Sequence, residues 1–262
     1  MFGICWLATI AGYTVIMLGM QWNDTIMAGA SWERPITNKL AKQAVAKKLA
    51  KRLRHGDVVG VGSGSTSYLT LVALAARRQS HELDFRAIVT SIEMELACQS
   101  LNIPTTSLLV EKPDWSFDGA DEIDPKGRMI KGRGGAMARE KLLMQASPEI
   151  YVVIDASKRV KTLGQKFPVP IEILPYAMHI VGDQLRLTAG VEQITLRQAT
   201  AKDGPVITEA GNLILDVRFS HISGDMESQL KTMVGVVETG LFTQFKVQVI
   251  EMNEVKKSTT NH

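Results

Sequence analysis

The sequence predicts an α/β fold: a parallel-sheet, Rossmann-like domain with a smaller α+β domain inserted before the last strand. Three observations predict it. Short apolar strands alternate with helical stretches between residues 58 and 154, the rhythm of a parallel sheet covered on both faces. Three prolines within residues 167–175 (FPVPIEILP) break that rhythm and mark a crossing between domains. Residues 245–250 then alternate like a strand that rejoins the first sheet. The expected division is an apolar extension over 1–35, a catalytic unit over 36–164 with 242–255, and a small unit over 165–241.

The elements follow in order. No charged residue precedes Asp24, and residues 2–20 are mostly apolar, just long enough to span a bilayer. Ala28-Gly29-Ala30 has the form of a cleavage site. No basic residue precedes the run, which argues against a signal peptide. Gly3, Gly12, Gly19, Thr9 and Thr14 dilute it, and no nearby Lys or Arg orients it, which argues against an anchor. Met27 opens MAGASWERP, the look of a soluble amino terminus. The segment is therefore expected to lie outside the fold of a cytoplasmic protein, with membrane contact through 2–20 not favoured.

Ile36, Leu40, Ala44, Leu49 and Leu53 recur at helical spacing, with Lys39, Lys42, Lys47, Lys48, Lys51 and Arg52 among them. Most of these lysines are expected on a solvated face. His55-Gly56-Asp57 is a turn. Residues 58–62 form a strand, followed by a helix through Arg78. Residues 87–90 (strand), 93–101 (helix), 115–117 (strand ending at Asp118), 135–146 (helix) and 150–154 (strand) continue the alternation. In the second half, 193–197 is a strand, and 206–208, Gly211-Asn212 and 213–219 read as a hairpin. A helix over 226–233 and a short strand at Val236-Val237 complete the small unit. The polar tail, 256–262, is expected to fray.

Composition narrows the function classes. The chain has 262 residues, 45% hydrophobic and 22% charged, with a formal net charge of +3. That balance is globular, and the surplus is too small to argue for nucleic acid. Cys5 and Cys98 form neither a disulfide framework nor a four-ligand zinc site, and a reducing compartment is the default. The five histidines show no metal-ligand spacing.

Three motifs carry chemistry. Gly60-Val61-Gly62-Ser63-Gly64-Ser65-Thr66 joins a strand to a helix. Glycines allow a tight turn, and helix amides attract an anion. The loop lacks both the Walker ending and the third glycine of the dinucleotide fingerprint, which leaves a small phosphate cradle or an ordinary glycine turn. Asp118-Gly119-Ala120-Asp121-Glu122-Ile123-Asp124 packs four carboxylates without calcium-loop spacing. Asp118 ends an apolar strand, where open α/β sheets place ligands. Lys131-Gly132-Arg133-Gly134-Gly135 precedes a helix that carries Glu140. Two acids, a lysine and a glutamate make a plausible acid–base set.

DGADEID, MIKGRGGAMAREKLL and VVIDASKRVKTLGQKFPVPIEILP, together with VVGVGSGST, GNLILDVRF and VGVVETGLF, occur in the order found in type A ribose-5-phosphate isomerases. Over about residues 38–250 the chain resembles that family. The resemblance implies interconversion of ribose 5-phosphate and ribulose 5-phosphate with no metal and no cofactor, and a homodimer or homotetramer. It places the substrate loops on Ser63, Gly64, Ser65 and Thr66, on Asp118, Gly119, Ala120 and Asp121, and on Lys131, Gly132, Arg133 and Gly134. The base falls on Glu140, and further substrate lysines on Lys158 and Lys42. Within the implied reaction, Asp118 and Asp121 are candidates for ring opening and Lys131 for the oxyanion. Arg133 stands where the family usually has glycine, Ser63 replaces a common threonine, and Ile92-Glu93-Met94 is poorer in hydroxyls. Arg133 is expected to pair with the acidic loop. The rival readings are a lactonase or deaminating isomerase, which the absence of a catalytic histidine in these motifs disfavours, and a silent sugar-phosphate sensor.

Overall fold

The computed structural model describes residues 7–10, 13–16, 32 and 35–252. Strands β1 (Leu7–Ile10) and β2 (Tyr13–Ile16) pair with each other, antiparallel, and with no other strand among the described residues. The rest of the apolar opening, with Ala28-Gly29-Ala30, and the tail beyond 252 lie outside the described residues. Among the described residues, no helix is long and apolar enough to cross a membrane.

Helix α1 (Lys39–Ala50) turns its small and apolar residues, Ala41, Val45, Ala46 and Leu49, inward. Then follow β3 (Val58–Val61), α2 (Gly64–His81), β4 (Arg86–Val89), α3 (Ile92–Ser100), β5 (Thr105–Thr106) and β6 (Trp115–Asp118). Two short strands, β7 (Glu122–Ile123) and β8 (Met129–Ile130), lead to α4 (Met137–Ala146) and β9 (Ile150–Asp155). The remaining elements are β10 (Val169–Ile173), α5 (Met178–Leu187), β11 (Val191–Leu196), β12 (Leu213–Phe219), α6 (Met226–Lys231), β13 (Val236–Thr239), β14 (Leu241–Phe242) and β15 (Gln248–Met252).

The main sheet has the order β15-β9-β6-β3-β4-β5, and every pairing in it is parallel. The last strand rejoins it beside β9, with Val249 opposite Val152. Side chains alternate across a strand. Val59 and Val61 therefore face Val45, Leu49, Leu71 and Leu74, while Val58 packs with Ile88 and Leu143 of α4. Apolar strands buried on both faces are what a parallel sheet requires.

A four-stranded antiparallel sheet, β11-β12-β10-β13, forms a second core with α5 and α6, built on Ile171, Val181, Leu185, Val217 and Leu230. The proline-rich 167–175 segment, expected as a crossing between domains, holds β10, an interior strand that did not stand out in the sequence. Proline lacks an N–H and usually stays at edges. Pro170 serves as an acceptor, its carbonyl taking the Gly240 N–H at 2.7 Å. The expected hairpin at 206–219 does not form. β12 pairs with β10 and β11, and 206–208 carries no strand. Thr208 Oγ1 and Asn212 Nδ2 instead donate to the buried Glu172 carboxylate at 2.8 and 2.9 Å. A buried carboxylate needs such donors, and supplying them folds this segment into a turn.

Candidate active site

The main sheet has a switch point between β3 and β6. From β3 the chain proceeds to β4 on one side, and β6 lies on the other. Open parallel sheets bind ligands at that point, beyond the carboxyl ends of their strands. Ser63 follows β3 there and Asp118 ends β6. The two loops approach so closely that a Cβ on Gly62 would stand 2.0 Å from Asp118 Cγ. Gly64, with φ of +82°, makes the turn into α2. Asp118 Oδ1 accepts the Gly119 N–H at 2.7 Å and the Ser67 hydroxyl at 3.2 Å.

Lys131, just past β8, sends its ammonium into this corner. Its Nζ donates to Asp118 Oδ2 at 2.7 Å and to the Gly119 carbonyl at 2.7 Å, and lies 3.1 Å from Glu140 Oε2. The Phe242 ring lies 5.5 Å from the same ammonium. Asp118, Lys131 and Glu140 are all buried. Glu140 sits in the first turn of α4, and its Oε1 accepts from the Ser63 hydroxyl at 2.5 Å. Its Oε2 accepts no hydrogen bond among the described residues. A buried carboxylate oxygen with an open lone pair is the arrangement a general base needs.

Two carboxylates around one buried ammonium shift the protonation of the group. Burial, and then the neighbouring Glu140, push the Asp118 carboxyl up to about 7, against the pull of Lys131. Burial opposes the Lys131 charge, but Asp118 and Glu140 prevail and hold its pKa above the ordinary lysine value. Burial also raises half-buried Asp121, against Lys131 and Lys158. Asp121 Oδ2 accepts the Arg133 backbone N–H at 3.2 Å, which ties the acidic loop to the glycine loop.

The remaining predicted residues lie beside this centre. Lys42 alone among the α1 lysines is buried, and its Nζ donates to Ser65 Oγ at 3.2 Å. Its pKa is lowered, first by burial and then by Lys158, with Arg133 adding to the effect and Asp155 opposing it. Thr66 packs beside Gly119, and Gly134 beside Ser63. Ala120 is buried. Gly132 has φ of +95° and lies against Met137. The expected pairing of the Arg133 side chain with the acidic loop is not seen. Its amide makes that contact, and its guanidinium lies 5.7 Å from the Phe167 ring.

The acidic cluster divides by function. Asp118 and Asp121 face the centre. Glu122, fully buried, accepts the N–H groups of Gly164, Lys166 and Phe167. Asp124 accepts from Lys126 and Arg128 and closes a turn. No group of three His, Cys, Asp or Glu among the described residues is arranged to hold a metal ion.

The family model of ribose 5-phosphate isomerase A (phosphoriboisomerase A) matches residues 86–255. A ribose-5-phosphate isomerase A of Thermosynechococcus vestitus is 41% identical over 221 residues, covering 83% of this chain and 92% of the relative. The chain belongs to the ribose 5-phosphate isomerase A family. Among solved structures, the enzyme of Methanocaldococcus jannaschii superposes with a TM-score of 0.79 at 37% identity, over 84% of this chain and 97% of that one. A D-ribose-5-phosphate isomerase in complex with phospho-erythronic acid gives 0.77 at 35% identity, over 82% and 96%.

One residue of this ribose 5-phosphate isomerase A family member escaped the sequence reading. Arg197, just after β11, pairs with both oxygens of Asp216, at 2.8 and 2.5 Å. Its Nη1 also donates to the carbonyls of Gly132 and Arg133, at 2.9 and 3.0 Å. The β11–β12 pair thus fixes the glycine loop that follows β8. Nothing near Arg197 in sequence signals this, because Asp216 lies diagonally across from it only once β11 and β12 pair. We expect Arg197→Ala to lower kcat/KM about tenfold or more, equivalent to ~1.4 kcal/mol. Lysine should not restore it, because one ammonium cannot reproduce the fork. Steady-state kinetics on both variants checks this.

Proposed function

We propose that the chain interconverts ribose 5-phosphate and ribulose 5-phosphate through an enediolate, with Glu140 as the base. The observation that carries the reading is the buried Lys131 ammonium between Asp118 and Glu140, with the Glu140 Oε2 facing that ammonium but accepting no hydrogen bond among the described residues. Aldose–ketose isomerisation moves one proton between adjacent carbons. Glu140 takes it from C2 and returns it to C1. Charge then develops on the carbonyl oxygen, and Lys131 with the amides after it offsets that charge where water is excluded. Asp118, whose proton is held up to about 7, suits exchange with a sugar hydroxyl during ring opening, and Asp121 assists. The phosphate rests on residues 63–66, with Lys42 and Lys158 as counter-charges.

The same proposal takes the protein as a homodimer or homotetramer of the cytoplasm. It treats 36–164 with 242–255 as the catalytic unit and 165–241 as the small one. Ribose 5-phosphate mixed with the purified chain should yield ketose at a rate that EDTA does not change, because every step is a proton transfer between side chains and sugar. Absence of ketose would overturn the reading. So would a rate lost to chelation and restored by a divalent ion.

A further inference from the structure

We propose that Arg133 is a third phosphate-binding cation, held ready for the anion by the Phe167 ring beside Lys158. The Lys158 ammonium and the Arg133 guanidinium each lie 5.7 Å from the centre of that ring. Aromatic faces attract cations at this range without neutralising them. The backbone that carries the ring is anchored, since the Phe167 N–H is bound to the fully buried Glu122 at 2.8 Å.

The Arg133 backbone is held on both sides. Its N–H donates to Asp121, and its carbonyl accepts from Arg197. Its exposed side chain forms no ion pair with a carboxylate among the described residues. A fixed backbone with an unneutralised guanidinium leaves the head free to turn towards an anion.

The surroundings call for one. Lys42, on the Ser65 hydroxyl, feels both Lys158 and Arg133 as repelling charges. Asp155 is the carboxylate that opposes them, and it already accepts from Asn38 and from the Ser157 amide and hydroxyl. Three cations face two carboxylates, the occupied Asp155 and Asp121, which Lys131 and Lys158 share, so positive charge is in surplus until an anion enters. A phosphate monoester carries the required charge, and guanidinium binds phosphate through two parallel N–H groups. The assignment deepens the isomerase reading and rests on its sugar-phosphate substrate.

The test is Arg133→Gln, measured two ways. In turnover, KM for ribose 5-phosphate should rise about tenfold, the worth of one charge-assisted hydrogen bond, while kcat changes far less. The KM of the variant should also depend less on salt. In binding, inorganic phosphate titrated calorimetrically into the unliganded protein should lose affinity by a similar factor, with Arg133→Lys between the two. Unchanged KM and unchanged phosphate affinity would overturn the inference. A fall in KM would overturn it too, since it would show the arginine obstructing the sugar. The phosphate titration needs no turnover, so it judges Arg133 even if ribose 5-phosphate is not the substrate.

Discussion

Glu140→Gln is expected to lose about 10²–10⁴ in kcat, the usual contribution of a general base, while KM stays within a few-fold. The substitution keeps the volume of the side chain in a buried position of α4. Oriented with its carbonyl towards Ser63, the amide still accepts that hydroxyl, whose partner is now Glu140 Oε1. What changes is the atom beside Lys131. The bare Oε2 becomes an NH₂ that cannot accept a proton, 3.1 Å from an ammonium. Asp118 remains to neutralise Lys131, so the fold should survive, and a thermal melt beside the kinetics separates the two effects. Glu140→Asp is the complementary variant. It restores a carboxylate but draws it back by one methylene, and proton transfer is sensitive to displacements of that size. It should recover part of the lost rate. A kcat for Glu140→Gln within about threefold of the native value would remove Glu140 from the role of base.

The centre was legible in the sequence because its parts are local signals. Asp118 ends an apolar strand, Lys131 opens a glycine run before a helix, and Glu140 falls in the first turn of that helix. Alternating strands and helices made the parallel sheet equally plain. The residues that were not legible owe their positions to pairings between distant segments. Glu122 and Asp124 have the same local chemistry as Asp118, and only the fold shows that their oxygens are consumed by backbone amides and, at Asp124 Oδ2, by the Arg128 guanidinium. The chemistry of α1 left Lys42 among its solvated neighbours, and only the family resemblance singled it out; the packing of α1 on the sheet is what buries it. β10 was hidden by Pro170, a residue that ordinarily argues against an interior strand. α5 carried no such conflict and was still not read, because a ten-residue helix between proline-rich and strand-like segments is a short periodic signal. Arg197 acts across a strand register that no single-chain pattern specifies.

Lys131→Met should be the most damaging single change, and its damage should depend on pH in a direction that identifies its cause. The methionine fills the space but removes the charge that holds two buried carboxylates together. Breaking a buried ion pair from one side costs about 3–5 kcal/mol, on the order of 10 °C in melting temperature for a chain of this size. In the native protein Lys131 is held above the ordinary lysine value. Its charge is therefore fully present below the unfolded lysine pKa of about 10.4, and its own titration adds no pH dependence between pH 5 and 8. Asp118 behaves oppositely. Its folded value, about 7, lies above the unfolded one, so the folded state holds that proton more tightly and stability falls as pH rises between the two. Without Lys131 the folded value climbs further and the window widens. The deficit of the variant should accordingly be small near pH 5 and largest near pH 8. A deficit independent of pH would mean lost packing rather than lost charge. Adding Asp118→Asn to Lys131→Met removes one of the stranded charges and should recover part of the stability at pH 8, a coupling that a double-mutant cycle measures. It should not recover the rate. Loss of an oxyanion donor costs about 10²–10³ in kcat, and the asparagine supplies no cation in its place. Because Asp118 has its own role in ring opening, the ammonium is judged from Lys131→Met alone: a kcat lost near pH 5, where the stability deficit is small, marks a catalytic ammonium, and a kcat that falls only with the stability deficit marks a structural one.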